Sequence, residues 1–391
     1  MTRIFNVEML LVFVFNTGAA AEVNGRIGVE SRIFLDDSQF QNSVLFEPEL
    51  YQSWNGDNDS ILFKPFLRID DLDAERTHGD IRELQWLHVA KNWELRTGIG
   101  KVYWGVSESQ HLVDIINQTD IVESIDREEK LGQPMVQLSL IRNWGNVDLF
   151  VMPYFRERNF GGKDARLQGP IPIDTDNSLY ESDRKNRHVD YALRWSQFFG
   201  DWDIGLSYFT GTSRDPNLLP QIDTGDDSFF LTPFYPLIDQ IGLDLQATLG
   251  SWLWKLEAIK RDGLGQDYAA MTVGFEYTFV GLFESALDLG LLMEFNRDSR
   301  GLLAPTPFQK DVFSGGRLTF NDAQSTELLF GASFDLDDSS SYSGLVEASR
   351  RIGNNWKLSL DVWVFNSTNP LDLNYFLRND DFASITVEYY F

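Results

Sequence analysis

Hydrophobic and polar side chains alternate with a period of two along most of the chain from residue 22 onward. In one clear example, Leu358, Leu360 and Val362 alternate with Ser359 and Asp361. Successive side chains of a β-strand point to opposite faces, whereas a helix would distribute them around its circumference. The pattern therefore predicts strands that have one apolar face and one polar face.

The alternating segments number about eighteen and have roughly 10–14 residues each, the length that a tilted strand needs to cross a bilayer. They cover residues 22–36, 43–55, 60–71, 80–90, 93–101, 134–142, 146–157, 187–198, 201–212, 240–249, 251–261, 266–279, 285–297, 310–321, 324–336, 341–352, 354–366 and 379–391. The predicted fold is therefore all-β, a transmembrane antiparallel β-barrel of about 16–18 strands.

The connections between predicted strands differ in length according to their order along the chain. Most even-numbered connections are short turns, such as 91–92, 199–200 and 353–354. The odd-numbered connections are longer on average and include 102–133 and 158–186. Short periplasmic turns at one end and long extracellular loops at the other are the layout of outer-membrane barrels, and a soluble sandwich has no reason to adopt it.

Aromatic residues mark one end of the predicted barrel. Tryptophans close to the short turns are Trp54, Trp93, Trp144, Trp195, Trp202, Trp252 and Trp356. An indole ring favours the membrane–water boundary because it is apolar yet carries an N–H that needs a partner, so we expect a periplasmic aromatic girdle. The last strand alternates up to Phe391, which resembles the signal that barrel-assembly machinery recognises in outer-membrane proteins.

Residues 1–21 predict a secretory signal peptide. Arg3 precedes the apolar run 9–15, and the alanines at 19–21 supply a cleavage site of small residues. The run is too short for a membrane helix, which needs about 20 apolar residues, and a buried N-terminal strand is the alternative. The expected mature chain, residues 22–391, is a single barrel in the outer membrane of a bacterial cell.

Composition excludes several classes of function. The 391 residues include 33 Lys+Arg against 59 Asp+Glu, a formal net charge of -26 that would repel nucleic acid. The absence of cysteine excludes disulfides, thiolate nucleophiles and cysteine-bound metals. The four histidines have no metal-ligand spacing, and no nucleophile elbow or phosphate-binding loop occurs. We therefore expect no metal, no cofactor and no catalytic site.

The polar faces of the strands would line a lumen, and a barrel of this size leaves room for an aqueous channel. The predicted pore-lining residues are Arg26, Arg32, Lys64, Arg68, Arg96, Arg156, Arg194, Lys255, Glu257, Arg317, Arg351 and Asp361. Much of the basic set falls in the first half of the chain, so we expect a basic strip that faces anionic groups of a passing solute. A lattice of ion pairs along the wall is the alternative use of the same charges.

The connection 102–133 is too apolar for a freely solvated loop, so we expect it to fold inward or to pack on the rim as a constriction or plug. The residues predicted to form this constriction are Trp104, Gly105, Asp114, Asn117 and Asp120. The connection 158–186 is the second candidate for narrowing the lumen.

The stretch 98–136 contains the pair Trp104-Gly105, the segment Ile116-Asn117-x-x-Asp120, and Pro134 at the start of the next strand. With these features it resembles a family of uncharacterised outer-membrane β-barrel proteins. It implies an outer-membrane location and a role in moving hydrophobic or anionic compounds.

The sequence favours a porin-like channel for the passive passage of small anionic or amphipathic solutes. Its expected partners are outer-membrane lipid and lipopolysaccharide, the assembly machinery, and the small-molecule solute. One alternative is a plugged barrel that anchors long acidic loops as a binding surface. Another is an outer-membrane hydrolase built on His111 with Ser107 or Ser109 and Asp114, a local set of residues that carries no motif.

Overall fold

A computed structural model describes residues 21–222, 225, 227–263 and 267–391. Residues 1–20, and with them nearly all of the predicted signal peptide, lie outside the described residues.

Strands dominate the described chain. They are β1 (Glu22–Phe34), β2 (Phe40–Trp54), β3 (Asp59–Asp70), β4 (His78–Val89), β5 (Trp93–Gly100), β6 (Gln133–Arg142), β7 (Gly145–Met152), β8 (Leu179–Tyr180), β9 (Asp190–Phe199), β10 (Trp202–Thr212), β11 (Asn217–Ile222), β12 (Phe229–Tyr235), β13 (Leu237–Leu249), β14 (Trp252–Asp262), β15 (Tyr268–Phe279), β16 (Asp288–Asp298), β17 (Lys310–Thr319), β18 (Glu327–Asp335), β19 (Tyr342–Ile352), β20 (Trp356–Asn366) and β21 (Phe382–Tyr390). Among the described residues, helical structure is limited to α1 (Leu373–Leu377) and the 3₁₀ turns Lys185–Arg187, Leu282–Glu284 and Gly301–Leu303. In the part of the chain that the structure describes, no helix has both the length and the apolar character needed to cross a bilayer.

Eighteen of the strands form one sheet that closes on itself. Each barrel strand pairs antiparallel with its neighbours in chain order, and β1 completes the circle by pairing with β21. The main chains of Gly25 and Phe391 exchange two hydrogen bonds of 3.1 Å at this seam. Each segment that the alternation predicts overlaps one barrel strand, so the prediction of an all-β barrel is confirmed.

The two faces of each strand differ in exposure in the way that the alternation predicts. On β21, Ser384 and Glu388 point inward and are 4% and 5% exposed, whereas Ile385 points outward and is 52% exposed. On β1, Glu30 is likewise enclosed while Val29 lies on the outer surface. The outer surface is therefore apolar and the interior polar, the arrangement of a barrel surrounded by lipid.

Aromatic side chains gather at the end of the barrel that carries the short turns. Beside the turn 250–251, the Trp252 ring packs against Trp254 and Tyr277, with ring centroids 5.5 and 4.7 Å apart. Gly250 adopts φ +65° in this turn, a conformation that costs glycine little. The connection 280–287 is longer than the other turns at this end, and some extracellular connections are short, so loop length separates the two ends only on average.

The extracellular mouth carries a small second sheet outside the barrel wall. Strand β12 pairs antiparallel with β11 and parallel with β8. We call the connections 153–189 and 213–236, as far as they are described, the cap. Arg166 in the cap binds Asp37 at 2.8 Å and Asp380 at 2.7 Å. The predicted loop 158–186 therefore lies across the mouth and is tied to the turns on its far side.

Candidate functional site: the narrowed lumen

The connection from β5 to β6, residues 101–132, lies inside the barrel, and we call it the lumen loop. Its side chains Val113, Ile115 and Ile116 are at most 1% exposed. They belong to a cluster whose other members come from the loop and the inner wall, namely Trp104, Met135, Phe150, Met152, Ala192, Phe209, Ile238, Ile259, Tyr268 and Ala270. Full burial of one such aliphatic side chain contributes about 1.5–3 kcal/mol, which explains why an apolar loop folds inward.

The Trp104-Gly105 pair fixes the loop to the wall. The Trp104 ring packs edge-on against Phe150, with centroids 5.6 Å apart, and the Arg194 guanidinium lies 5.3 Å from its centroid. Gly105 has φ +139°, and a Cβ atom there would lie 2.8 Å from Oε1 of Glu257. A side chain at this position would therefore meet both backbone strain and a steric clash.

Glu257 on β14 holds the next part of the lumen loop through main-chain hydrogen bonds. Its Oε1 accepts from the amides of Val106 and Ser107 at 2.7 and 2.9 Å, and its Oε2 accepts from Val113 at 3.2 Å. Glu257 is completely buried. This predicted pore-lining carboxylate therefore acts as an anchor for the loop.

The tip of the lumen loop reaches the neighbouring strands β15 and β16. The carboxylate of Glu294 accepts hydrogen bonds from the amides of Glu108 and Ser109, both at 2.8 Å. The Gln110 side chain donates to Asn296 at 2.8 Å and to Thr272 at 3.1 Å. The tip therefore spans the lumen from the end of β5 to the wall on the other side.

Asn117 closes the base of the lumen loop. Its Oδ1 accepts from the amide of Val102 at 2.9 Å, while its Nδ2 donates to the carbonyls of Gly100 and Leu131 at 2.9 and 2.8 Å. Asn117 is 1% exposed, and both polar atoms of its side chain take part in these bonds. They therefore join the two ends of the lumen loop.

Asp120 anchors the other end of the motif and is fully buried. Arg82 binds its Oδ2 at 2.6 Å, and Asn159 donates to its Oδ1. Burial alone would raise the pKa of Asp120, but the hydrogen bond from His78 and the charge of Arg82 lower it to about 2. Asn117 and Asp120 thus hold the constriction in place from within the protein.

His78, Asp120 and Glu123 bring together ligand atoms that lie within 4.8 Å of one another. Sequence spacing did not reveal this cluster, because the histidine is on β4 and the carboxylates are on the lumen loop. Both carboxylates are already paired with arginines, Asp120 with Arg82 and Glu123 with Arg68 at 2.8 Å. A cation would have to displace these guanidinium groups, so the cluster has the chemistry of an ion-pair network.

Most of the predicted basic pore-lining residues are ion-paired. The pairs are Arg26 with Glu47 and Glu388, Arg32 with Glu30, Lys64 with Glu47 and Glu49, Arg68 with Glu30 and Glu123, Arg96 with Glu94, Arg156 with Asp80, Arg194 with Asp244, and both Lys255 and Arg317 with Glu108. Arg351 instead lies 5.9 Å from the Tyr390 ring centroid. Arg156 follows β7 and so belongs to the cap. Within the described chain, the expected basic strip is therefore largely neutralised by carboxylates of the barrel wall and of the lumen loop.

The inner faces of β17 to β20 carry several small side chains in register, with Gly315 opposite Gly331 and Ser349 opposite Ser359. Asp361, a predicted pore-lining residue on β20, also faces inward and accepts a hydrogen bond from Ser384 at 3.3 Å. Larger apolar side chains on the same inner faces include Phe313, Leu345 and Trp363.

A cavity of about 500 Å³ lies between the lumen loop and the cap. Much of its lining is apolar, with contributions from Ile115, Leu231, Ile259 and Trp363 among others. The predicted constriction residue Asp114 also lines it and is paired with Lys130 at 3.1 Å. A cavity of this size is in the range that holds small organic ligands.

Several arginines outside the predicted pore-lining set border this cavity. They are Arg127, Arg158, Arg214, Arg261 and Arg300. They come from the lumen loop, the cap, and the extracellular ends of β14 and β16. Alternation along single strands could not reveal them, because four of the five lie on loops and only Arg261 lies within a strand.

His111 does not form the hydrolase arrangement with a serine that the sequence left as an alternative. Its Nδ1 bonds with the Tyr103 hydroxyl at 2.8 Å and its Nε2 with Glu128 at 2.5 Å. The hydroxyl of Ser109 donates a hydrogen bond of 2.6 Å to Glu294. Burial would lower the pKa of His111, but Glu128 raises it above its ordinary value, which favours the charged imidazolium. Both ring nitrogens are thus engaged without a serine.

The geometry defines the class of protein. A closed antiparallel barrel with an apolar outer surface is one of the two structures that can span a bilayer, and such barrels occur in the bacterial outer membrane. The chain is a porin-like outer-membrane β-barrel whose lumen is narrowed by an inward-folded loop.

Comparisons with known proteins give only distant similarities. No family model matches the chain. No curated protein matches it either. Among solved structures, a variant of the outer membrane protein OmpT of Vibrio cholerae that lacks loop L8 has 10% identity and a TM-score of 0.49, covering 96% of this chain and 100% of its own. A triple mutant of the Rhodopseudomonas blastica porin has 14% identity and a TM-score of 0.45, covering 95% and 100%. These values support no inference about function.

Proposed function

We propose that this protein is a passive channel for small anionic solutes that carry an apolar or aromatic body. The observation that carries the proposal is the cavity between the lumen loop and the cap, where apolar side chains and several arginines meet inside the barrel. An apolar lining favours the body of such a solute, while guanidinium groups favour its charge.

Three further expectations from the sequence, on family, enzymatic activity and partners, belong to the same proposal. We propose that the chain is related to the uncharacterised outer-membrane family that shares the Trp-Gly and Ile-Asn-x-x-Asp motifs, and that it has no enzymatic activity. Its partners would be outer-membrane lipid, lipopolysaccharide, and the assembly machinery that reads the strand ending at Phe391. The contacts of Trp104, Asn117 and Asp120 support the motif proposal, because each of them positions the lumen loop.

Swelling of proteoliposomes tests the proposed passage. Benzenesulfonate, benzyltrimethylammonium and glucose serve as iso-osmotic solutes, because they separate the effects of charge and aromatic character. We expect benzenesulfonate to enter roughly tenfold faster than benzyltrimethylammonium, since fixed charge raises the local concentration of an opposite ion. Protein-free liposomes are the control.

Two outcomes would contradict the channel proposal. Equal rates for the anionic and cationic probes would remove the preference for anions. Complete impermeability to all three probes, together with zero conductance in planar bilayers, would favour a plugged barrel that anchors the extracellular loops.

A further inference from the structure

Two arginines bind one carboxylate at the edge of the cavity, and a third arginine lines the same cavity. Arg158 binds Oδ1 of Asp215 at 2.8 Å, and Arg261 binds Oδ2 at 3.1 Å. Arg127 lies near enough for its charge to act on both Asp215 and Arg158. We call Arg127, Arg158, Arg261 and Asp215 the arginine cluster, and all four residues line the cavity.

The charges of the arginine cluster do not balance. Asp215 is one negative charge shared by three positive ones, and Arg127 forms no ion pair within the described residues. The neighbouring arginines do not change this count, since Arg214 is matched by Asp190 at 2.7 Å and Arg300 by Asp298 at 2.6 Å. Two positive charges are therefore left for an anion.

The guanidinium groups are held in place before any ligand binds. The Nε of Arg158 donates to Gln118 at 3.2 Å, and the Nε of Arg261 donates to Gln240 at 2.8 Å. Each of these arginines thus donates its Nε to a glutamine and a terminal guanidinium nitrogen to Asp215. Because these side chains are already ordered, less conformational entropy is lost when an anion binds.

Arg127 is placed at the cluster by an unfavourable backbone conformation. Its φ is +67°, in the left-handed region that non-glycine residues adopt only rarely. Burial and the charge of Arg158 lower the pKa of Arg127, and Asp215 offsets only part of this. An anion beside Arg127 would relieve the repulsion between the two guanidinium groups.

The acidic neighbours of Arg127 in the chain do not neutralise it. The Asp126 carboxylate accepts a hydrogen bond from the amide of Glu128 at 2.8 Å. The Glu128 carboxylate is bound to His111. Both carboxylates are thereby directed to contacts other than the arginine cluster.

The surfaces beside the arginine cluster are apolar. Ile115 and Ile259 line the lower side of the cavity, and Leu218 and Leu231 line the side formed by the cap. The ring of Tyr268 lies between the guanidinium groups of Arg261 and Arg300, 5.5 and 3.5 Å from its centroid. A ligand that fits here combines one anionic group with a compact hydrocarbon or aromatic body.

We propose that the arginine cluster is a binding site for the carboxylate of an amphipathic organic acid, with the apolar body of the acid lying against the hydrophobic side of the cavity. The planar fork of arginine matches a carboxylate in geometry as well as charge. The inference rests on the proposed function in that it names the substrate class. It makes passage selective and saturable, because each solute pauses at a defined site.

Calorimetric titration of the detergent-solubilised protein tests the site with 4-phenylbutanoate as the probe. We expect Arg127→Gln and Arg158→Gln each to weaken binding by about tenfold or more, the effect of losing one charge-assisted contact. Arg127→Gln leaves no ion-pair partner behind, so this variant should fold. The matched control Arg350→Gln, at a half-exposed arginine that pairs with Asp322 and does not line the cavity, should bind the probe like the original protein.

The neutral analogue 4-phenylbutanol separates the charge from the apolar body and should bind at least about tenfold more weakly than the acid. Binding that is equal for acid and alcohol, or unchanged in both Arg127→Gln and Arg158→Gln, would overturn the proposal. Titration needs no open pore, so the two proposals fail separately. A conducting barrel that does not bind the acid would refute the site alone, and a binding barrel that does not conduct would refute the channel alone.

Discussion

Replacing Glu257 with alanine is expected to detach the lumen loop from the barrel wall and to raise the single-channel conductance several-fold. The substitution removes the acceptor of three main-chain amides, those of Val106, Ser107 and Val113. A buried donor without a partner costs about 1–3 kcal/mol, so the anchored loop loses roughly 3–9 kcal/mol. Conductance in planar bilayers measures the result.

Two variants control for the loss of charge and of volume. Glu257→Gln keeps Oε1 as acceptor for Val106 and Ser107, so its conductance should stay close to that of the original protein. Glu276→Ala removes an inward-facing glutamate from the adjacent strand β15, and the structure shows no hydrogen bond between this residue and the loop. If Glu257→Ala and Glu276→Ala gave the same conductance, the anchoring role of Glu257 would be refuted.

Replacing Arg76 with methionine is expected to lower the free energy of unfolding of the barrel strongly. Arg76 is 2% exposed and binds Glu30 at 2.9 Å and Asp70 at 3.0 Å. It also donates to the carbonyl of Val122 at 2.9 Å, which joins the lumen loop to the wall. Removing one partner from a buried ion pair costs about 3–5 kcal/mol. Among the described residues Asp70 would keep no cationic partner, while Glu30 would keep Arg32 and Arg68.

The free energy of unfolding, measured by denaturant titration of the barrel in lipid vesicles, tests this expectation. Arg350→Met is the matched control, since Arg350 is half exposed and pairs with Asp322 at 3.0 Å near a periplasmic turn. An exposed pair of this kind contributes only about 0–1 kcal/mol. Equal destabilisation by the two substitutions would show that the buried network has no special role.

The strands could be predicted from the sequence because their cause is local. Lipid on one side and water on the other impose a period of two on each strand, as in residues 356–364, without reference to any distant residue. The inward position of the lumen loop was predictable for the same reason, since its own apolar side chains exclude it from water. Both features depend on the composition of a single continuous segment.

The contacts of the site could not be predicted, because they join segments that are distant in the chain. Glu257 reads as one more inward-facing carboxylate until the structure places three amides of the lumen loop against it. Alternation likewise shows that Arg68 points inward but not that Glu30 and Glu123 neutralise it. The arginine cluster draws on three separate connections and one strand end, so no sequence pattern contains it.

The absence of native cysteine allows the central claim, a lipid-facing outer surface around a wet lumen, to be tested by single-cysteine labelling. Leu358 and Leu360 lie on the outer face of β20 and are 39% and 37% exposed, while Ser359 and Asp361 alternate with them on the inner face. Each position is replaced by cysteine, and the protein in lipid vesicles is treated with a charged, membrane-impermeant thiosulfonate.

The account predicts rapid modification of Ser359→Cys and Asp361→Cys and protection of Leu358→Cys and Leu360→Cys, because the reagent enters water but not hydrocarbon. In buffer without detergent or lipid, the apolar outer surface would aggregate, and the alternating pattern of modification would be lost. Equal modification of all four positions in vesicles, or faster modification of the leucine positions, would contradict a barrel whose outer face meets lipid.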